Sequence, residues 1–557
     1  MDTRTISSRA GSLRWCLSAV LIVTFIGAGF RFYGLGDRDF WFDESCTFIY
    51  VHNLFDWPAG SNLLVESTNL PYYAALRAWT SVFGETEVGY RSCSALLATL
   101  TVPLLGLAAG RLGGRMSGVV CAAIVAFNPL HIHYAREARA YAMWMFVLSG
   151  SIVLLVEAQR RLRWTWWFWY GAAAFVCLHV HYCTIYWLPA TAIILLHAQD
   201  RRRAFRQWLT THVAVAILFI PYFLSAVLPA GRGGGSGWLD SGWEAGTAIV
   251  RSLWAFLPAG GYPAHLRGLS ILSPDSVKLG PEWLTVVART MPAVVIVTAA
   301  ACLLRRRLRS PAGAPALEGR ARAHIIAAGM TIVPLILGWL YSLIVRPNYL
   351  VGRYDLVAWP ACMVWLALIA SSVTAIGQGR HSVYRTIVIC GPMLACSLVP
   401  IARMAALKPP PTFAHRRAQR LAQLAGPNDL AVTFSYDRDY LLYYLHRAGF
   451  AAQVAAFPSW LSLQVGWVDL EPNLTADRVA LLRQEAAALA QEAEALIARG
   501  GHVWLLPDSH QYRTDARGRL MRWPRAKVNR FLLEALREKG LRKHTLDEEL
   551  LISRLER

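Results

Sequence analysis

Residues 128–141 read Asn128-Pro129-Leu130-His131-Ile132-His133-Tyr134-Ala135-Arg136-Glu137-Ala138-Arg139-Ala140-Tyr141. An apolar run near 116–130 ends in this stretch, and another near 141–158 leaves it. Two arginines, one glutamate, two histidines and two tyrosines therefore crowd one boundary between apolar segments. A chain that crosses a bilayer has such boundaries at each surface. Each span needs about 20 apolar residues, and ionisable groups are expensive within it.

Working outward, further apolar spans fall near 15–33, 88–109, 165–180, 183–198, 208–228, 286–304, 325–346, 356–376 and 386–404. The expected architecture is an α-helical polytopic membrane protein with about eleven transmembrane helices. Composition agrees. Of 557 residues, 55% are hydrophobic and only 16% charged, against about 25% charged in soluble domains. Mean hydropathy is +0.35. A disordered chain, a collagen-like repeat and an ordinary cytosolic enzyme are excluded.

The net charge of +21 would suggest nucleic acid in a soluble protein. Here arginines recur in alternate loops: Arg111/Arg115, Arg160/Arg161/Arg163, Arg201–Arg203, Arg305–Arg307 and Arg380/Arg385. That alternation is a topology signal, so no nucleic-acid partner is expected. It places the N-terminus in the cytoplasm, with the first span an uncleaved signal anchor. An odd number of spans puts the C-terminal segment on the outer face. The ten cysteines all precede position 397 and show no metal or disulfide spacing. Gly231–Trp238, a Gly-rich run, follows a membrane span rather than a strand, so it reads as a flexible loop and not a phosphate cradle.

Beyond 404 the composition changes. Pro409, Pro410 and Pro411 mark a stiff linker. Residues 430–434 and 502–506 read as buried strands, and 474–499 and 526–539 as helices. The expected domains are a membrane domain, 1–404, and a small soluble α/β domain, 405–557, on the outer face.

The outer loops carry the groups suited to chemistry. Phe40-Trp41-Phe42-Asp43-Glu44-Ser45 follows the first span. Adjacent carboxylates at a membrane surface are either used or paired, or they occupy a helix first turn. Glu66-Ser67-Thr68-Asn69-Leu70-Pro71-Tyr72-Tyr73 comes next. In the 128–141 stretch, Glu137 and Tyr141 are four apart and would share a helix face. His131 and His133 form a His-x-His pair without a defined third metal ligand. His179-Val180-His181-Tyr182 follows the fifth span, its histidines either catalytic or local hydrogen-bonding groups. Pro347-Asn348-Tyr349-Leu350-Val351-Gly352-Arg353-Tyr354 precedes a late span. An arginine there suits a lipid phosphate, through planar multidentate recognition.

This ordered set resembles the polytopic C-type glycosyltransferases (GT-C) of the bacterial protein-mannosyltransferase and aminoarabinose-transferase superfamily. The shared features are aromatic-x-Asp-Glu after the first span, an acidic/Asn/Pro/Tyr-Tyr segment, Asn-Pro…Tyr-Ala-x-Glu-Ala-Arg-x-Tyr, then His-Tyr, then Arg-Tyr. They cover roughly residues 10–400. Relatives often carry an Asp ahead of a double proline in the second segment, whereas this chain has Glu66, Leu70 and a single Pro71.

The resemblance implies a hexosyl- or pentosyltransferase of the bacterial inner membrane. It would move a sugar from a polyprenyl-phosphate donor to a glycan, lipid or protein acceptor at the outer, periplasmic face, with inversion. Membrane lipids would be its surroundings. Such chemistry needs a carboxylate base and cations for the leaving phosphate. The candidates are Asp43 as base or acceptor-orienting carboxylate, supported by Glu44 and Glu66, and Arg139 and Arg353 for the phosphate. Glu137 and Tyr141 would fix Arg139, and His181 and Tyr354 would line the site. Asp43 and Glu44 are also the candidates to hold a divalent metal, Mg or Mn. The competing reading is a lipid or solute transporter or flippase. Transporters place ionisable groups near the bilayer midplane, whereas here they lie in the outer loops.

Overall fold

A computed structural model describes residues 3–52, 69–228, 245–257, 290, 315–374, 380–406, 408–459, 475–507, 512–514, 520–522 and 526–557. The chain divides into two compact units. The first comprises Met1–Asp37, Ser67–Pro229 and Leu239–Pro409; the second comprises Arg38–Glu66, Ala230–Trp238 and Pro410–Arg557.

The first unit is helical. Its elements are α1 (Thr3–Phe32), α3 (Leu70–Phe83), α4 (Glu87–Gly113), α5 (Arg115–Ala126), α6 (Pro129–Ala135), α7 (Tyr141–Arg161), α8 (Trp164–Val180), α9 (Arg201–Tyr222), α10 (Ala248–Phe256), α11 (Pro315–Ile344), α12 (Trp359–Thr374) and α13 (Arg380–Ala406). Helix α2 (Phe42–His52) belongs to the second unit. Among the described residues six helical stretches are long and apolar enough to cross a membrane, or seven if α5 and α6 count as one bent span. The span expected at 286–304 lies outside the described residues.

Two expected spans have unexpected geometry. Residues 183–198 fall in a largely 3-10 stretch from Tyr182 to His197. Pro189 interrupts α-type hydrogen bonding there. The tighter helix rises about 2.0 Å per residue, so 16 residues still reach about 30 Å, a bilayer core. The span at 116–130 breaks, with α5 and α6 meeting at 60°. Pro129 has no N–H to continue α5. Asn128 caps α6 instead, its Oδ1 accepting from the His131 amide at 3.0 Å.

The break frees carbonyls at the α5 C-terminus, and Arg31 of α1 takes them. Its guanidinium donates to Val125 O at 2.9 Å and to Ala126 O at 3.0 Å. It also donates to His131 Nδ1 at 2.8 Å. Arg31 is 0% exposed, and satisfying freed carbonyls is what lets a cation remain there. Helices α4 and α5 approach through Gly106, Gly110 and Gly118. A Cβ at Gly118 would lie 2.7 Å from Gly106 O. Small residues at such a spacing are how membrane helices reach close contact.

The second unit contains α14 (Phe413–Leu424), β1 (Leu430–Phe434), α15 (Ser435–Arg447), β2 (Gln453–Phe457), α16 (Ala476–Ala498), β3 (Val503–Leu506), β4 (Tyr512–Thr514), β5 (Leu520–Arg522), α17 (Ala526–Glu538), β6 (Arg542–Asp547) and β7 (Ile552–Glu556). The main sheet has order β2-β1-β3-β7-β6. Strands β2, β1 and β3 are parallel, while β7 pairs antiparallel with β3 and β6. Strands β1 and β3 are buried throughout, which explains their unbroken apolar runs. Leu482, Ala486, Ala490 and Ala493 of α16 and Val528, Leu532 and Leu536 of α17 complete the core. The Asp429 carboxylate ties the ends of β1 and β3, accepting from His502 N and Trp504 Nε1 at 2.9 Å each.

Candidate functional site

The ends of several helices of the first unit bring a group of the sequence candidates together. Residues 136–140 form a turn between α6 and α7. The expectation that Glu137 and Tyr141 share one helix face is therefore corrected. Glu137 pairs with His133 of α6 at 3.1 Å. Tyr141, the first residue of α7, accepts through its hydroxyl from Arg353 Nε. Tyr141 thus fixes Arg353.

Arg353 lies on the Val351–Tyr354 turn that precedes α12. Gly352 takes φ +77° there, a conformation glycine adopts without steric cost. The Gly352 carbonyl accepts from Tyr134 of α6, so α6 fixes the turn and α7 fixes its arginine. Arg353 is 8% exposed. Its guanidinium carbon lies 5.5 Å from the Tyr141 ring centre and 5.9 Å from that of Tyr354. Cation–π attraction holds a guanidinium at this range.

His181 joins the same group. Its ring stacks on Trp144 at 4.1 Å and lies 5.3 Å from Tyr354 and 6.1 Å from Tyr141. Its Nδ1 accepts from the Cys183 amide at 3.3 Å. A backbone amide can only donate, so the ring proton resides on Nε2. Burial, then the charges of Arg353 and Arg139, push the imidazole down to about 3. His181 is thus a neutral donor beside two cations, and both candidate arginines act on it. Arg139 is half-buried on the 136–140 turn.

The carboxylate candidates Asp43 and Glu44 belong to the second unit. Both lie in the first turn of α2, where acids complement the helix dipole. Glu44 is 0% exposed, and its Oε2 accepts from the Trp41 amide at 3.3 Å. That is the backward bond of a helix-capping box, so Glu44 has a structural task. Asp43 is half-buried. Glu66 lies outside the described residues.

Helix α2 is held within its unit by aromatic packing. Phe40 stacks on Tyr443 of α15 at 4.3 Å, and Phe48 meets Tyr443 edge-on at 5.3 Å. The Phe40 amide donates to the Tyr444 hydroxyl at 2.6 Å. Asp39 accepts from Thr412 N at 2.5 Å and pairs with His415 Nδ1 at 2.9 Å. Burial alone would raise the Asp39 carboxyl. The bonds from His415 and Thr412 outweigh burial and hold it below the usual carboxylate range.

Among the described residues no three His, Cys, Asp or Glu side chains are grouped as ligands. Asp43 and Glu44 are successive helical residues, so their side chains diverge, and Glu44 is spent on the cap. His131 Nδ1 is taken by Arg31, and its ring stacks on Trp359 at 4.6 Å. Among the described residues no divalent-cation site is assembled.

Two residues escaped the sequence reading. Arg31 is a lone cation inside an apolar span, itself a signal. Asp355, 3% exposed, directly follows Arg353-Tyr354. Neither of its carboxyl oxygens has a hydrogen-bond partner among the described residues, which leaves a buried acid two residues after Arg353.

Residues 70–226 match the family model for dolichyl-phosphate-mannose-protein mannosyltransferase. Comparison with curated proteins returns no match. Among solved structures, ArnT from Cupriavidus metallidurans bound to undecaprenyl phosphate is 13% identical. Coverage is 98% of both chains, with a TM-score of 0.53. The archaeal oligosaccharyltransferase AglB from Archaeoglobus fulgidus, in complex with an inhibitory peptide and a dolichol-phosphate, is 12% identical. Coverage there is 88% of this chain and 69% of that one, with a TM-score of 0.50. The chain is a multi-pass membrane protein with the C-type glycosyltransferase fold seen in ArnT, and its residues 70–226 match the mannosyltransferase family model.

Proposed function

We propose that the chain transfers a sugar from a polyprenyl-phosphate donor to an acceptor hydroxyl or amine at the periplasmic face of the bacterial inner membrane. The observation that carries this reading is Arg353, a buried guanidinium fixed by Tyr141 and flanked by the Tyr141 and Tyr354 rings. A cation so placed stabilises a phosphate oxyanion without reorganising. The matched family model and the ArnT complex with undecaprenyl phosphate support a lipid-phosphate donor.

In the proposed reaction the acceptor oxygen or nitrogen attacks the anomeric carbon. Its bond to the phosphate oxygen breaks, and the electron pair goes to the phosphate. Asp43 takes the acceptor proton, with Glu66 in support. Arg353 and Arg139 stabilise the departing polyprenyl phosphate, and His181 Nε2–H donates to it. Attack from the side opposite the leaving group inverts the anomeric centre. The N-terminus is proposed to lie in the cytoplasm and the α/β unit in the periplasm.

Membranes expressing the protein, supplied with labelled polyprenyl-phosphate sugars, test this. The wild type should transfer label to an endogenous acceptor, and Arg353→Ala should not. Absence of transfer from every donor, with folded protein, would overturn the proposal.

A further inference from the structure

A cavity of about 170 Å³ opens between the ends of α4, α5, α11 and α12 in the first unit. It is far roomier than the ~10–15 Å³ that one water requires, and smaller than the ~300–1,000 Å³ of sites for drug-sized ligands. Arg115, Ser117, Arg320, His324, Ser371 and Ser372 contribute its polar lining, with no carboxylate among the described residues that line it. Helix α12 begins six residues after Arg353, and its 13-residue step from Trp359 to Ser372 spans about 20 Å at 1.5 Å per residue, so the cavity lies at the far end of that helix from the arginine. It is therefore distinct from the candidate donor site.

The sequence explains the placement. Arg115 and Arg320 belong to the alternate basic ends that mark one membrane surface. Arg320 and His324 are one helical turn apart on α11 and share a face. Two helix N-termini and two C-termini meet here, so their dipoles largely cancel. Among the described lining residues the formal charges are those of the two guanidinium groups. The hydroxyls are already ordered: Ser117 Oγ and Ser371 Oγ are 2.7 Å apart, and His324 Nε2 and Ser372 Oγ 3.1 Å. Ser117 is 1% exposed, a buried hydroxyl in a cavity with cations at its rim. Helix α5 has no side-chain cap at Gly114, so its first amides are not occupied by a capping side chain.

We propose that this cavity binds a phosphate group, as the headgroup of an anionic membrane lipid or as a free phosphate anion. Arg115 and Arg320 supply charge-assisted donors. The serine hydroxyls and His324 supply neutral ones. Binding would hold the α4–α5 and α11–α12 pairs together at this membrane surface.

The full chain in nanodiscs tests the proposal through thermal unfolding midpoints. Discs of phosphatidylcholine are compared with discs containing phosphatidylglycerol, and inorganic phosphate is titrated into the former. The wild type should be stabilised by several degrees by phosphatidylglycerol, by phosphate, or by both, and the responding arm identifies the source. Arg115→Gln with Arg320→Gln should abolish the shift. Both residues are exposed on terminal turns, and Arg115→Lys with Arg320→Lys should retain part of it. No shift in either arm, or an equal shift in the glutamine variant, would overturn the proposal.

Discussion

Arg353 and Asp43 are presented by different kinds of structure. Arg353 sits on a turn between two membrane helices, and hydrogen bonds from neighbouring helices fix both the turn and its side chain. Asp43 sits in the first turn of a short helix whose aromatic face packs on α15 of the α/β unit. The first environment is dry and pre-set, which suits a charge that must receive an oxyanion. The second is half-open, which suits a base that must meet a diffusing or membrane-borne acceptor. The difference predicts that the two residues fail in different ways when altered.

Asp43→Asn has the largest expected effect. Removing a general base costs about 10²–10⁴ in rate, so turnover of labelled donor should fall by that factor. Glu44→Gln is its control. Glutamine also completes a capping box, so transfer should stay near wild type. If the two variants fell equally, Glu44 would share the chemistry and the capping assignment would fail.

Arg353→Lys comes next. Lysine keeps the charge but loses the planar fork and the Nε donor to Tyr141. A drop of about 100-fold in kcat/KM for the donor is expected. Full activity would show that charge alone suffices and that the tyrosine frame is irrelevant.

Much of this arrangement was legible in the sequence, for identifiable reasons. Apolar length and arginine alternation are one-dimensional signals, so helices such as α4, α7, α11 and α12 fall where the hydropathy places them. The C-terminal strands β1 and β3 were visible because burial on both faces makes continuous apolar runs. What escaped depends on the third dimension. Tyr141 faces Arg353, 212 residues away, and sequence spacing points only to near neighbours such as Arg139. The turn at 136–140 defeats a helical-face argument that its composition invites. Glu44 was legible as an acid, but the bond from Trp41 that gives it a capping task required coordinates. The carriage of α2 by the α/β unit rests on Asp39, Phe40, Tyr443 and His415, residues far apart in sequence.

That carriage is testable. Asp39→Ala removes two bonds to a charged acceptor, each typically worth about 1.5–3 kcal/mol. Hydrogen exchange across α2 should accelerate while exchange in β1 and β3 is unchanged. Uniform acceleration would contradict a local tether. The Asp39 carboxyl is depressed in the folded state, so its contribution is present above the unfolded value near 4 and fades as pH falls through the folded one.

The smallest effect concerns His181. Its pKa of about 3 lies below an unfolded value near 6.5. Below pH 6.5 the unfolded chain binds a proton that the folded chain does not. Stability should therefore fall with decreasing pH, by up to about 1.4 kcal/mol per unit, and His181→Asn should flatten that limb. Between pH 6.5 and 8 the two proteins should show parallel profiles of stability and of transfer. A transfer limb in that range that vanishes with His181 would mean that the imidazole charges during turnover.

The most direct test separates donor binding from chemistry. Affinity of the purified full chain for sugar-free polyprenyl phosphate should be measured for wild type, Asp43→Asn and Arg353→Gln. The account predicts wild-type affinity for Asp43→Asn and at least about tenfold weaker binding for Arg353→Gln, as a lost charged hydrogen bond implies. Normal binding by Arg353→Gln, or equal loss in both variants, would contradict it.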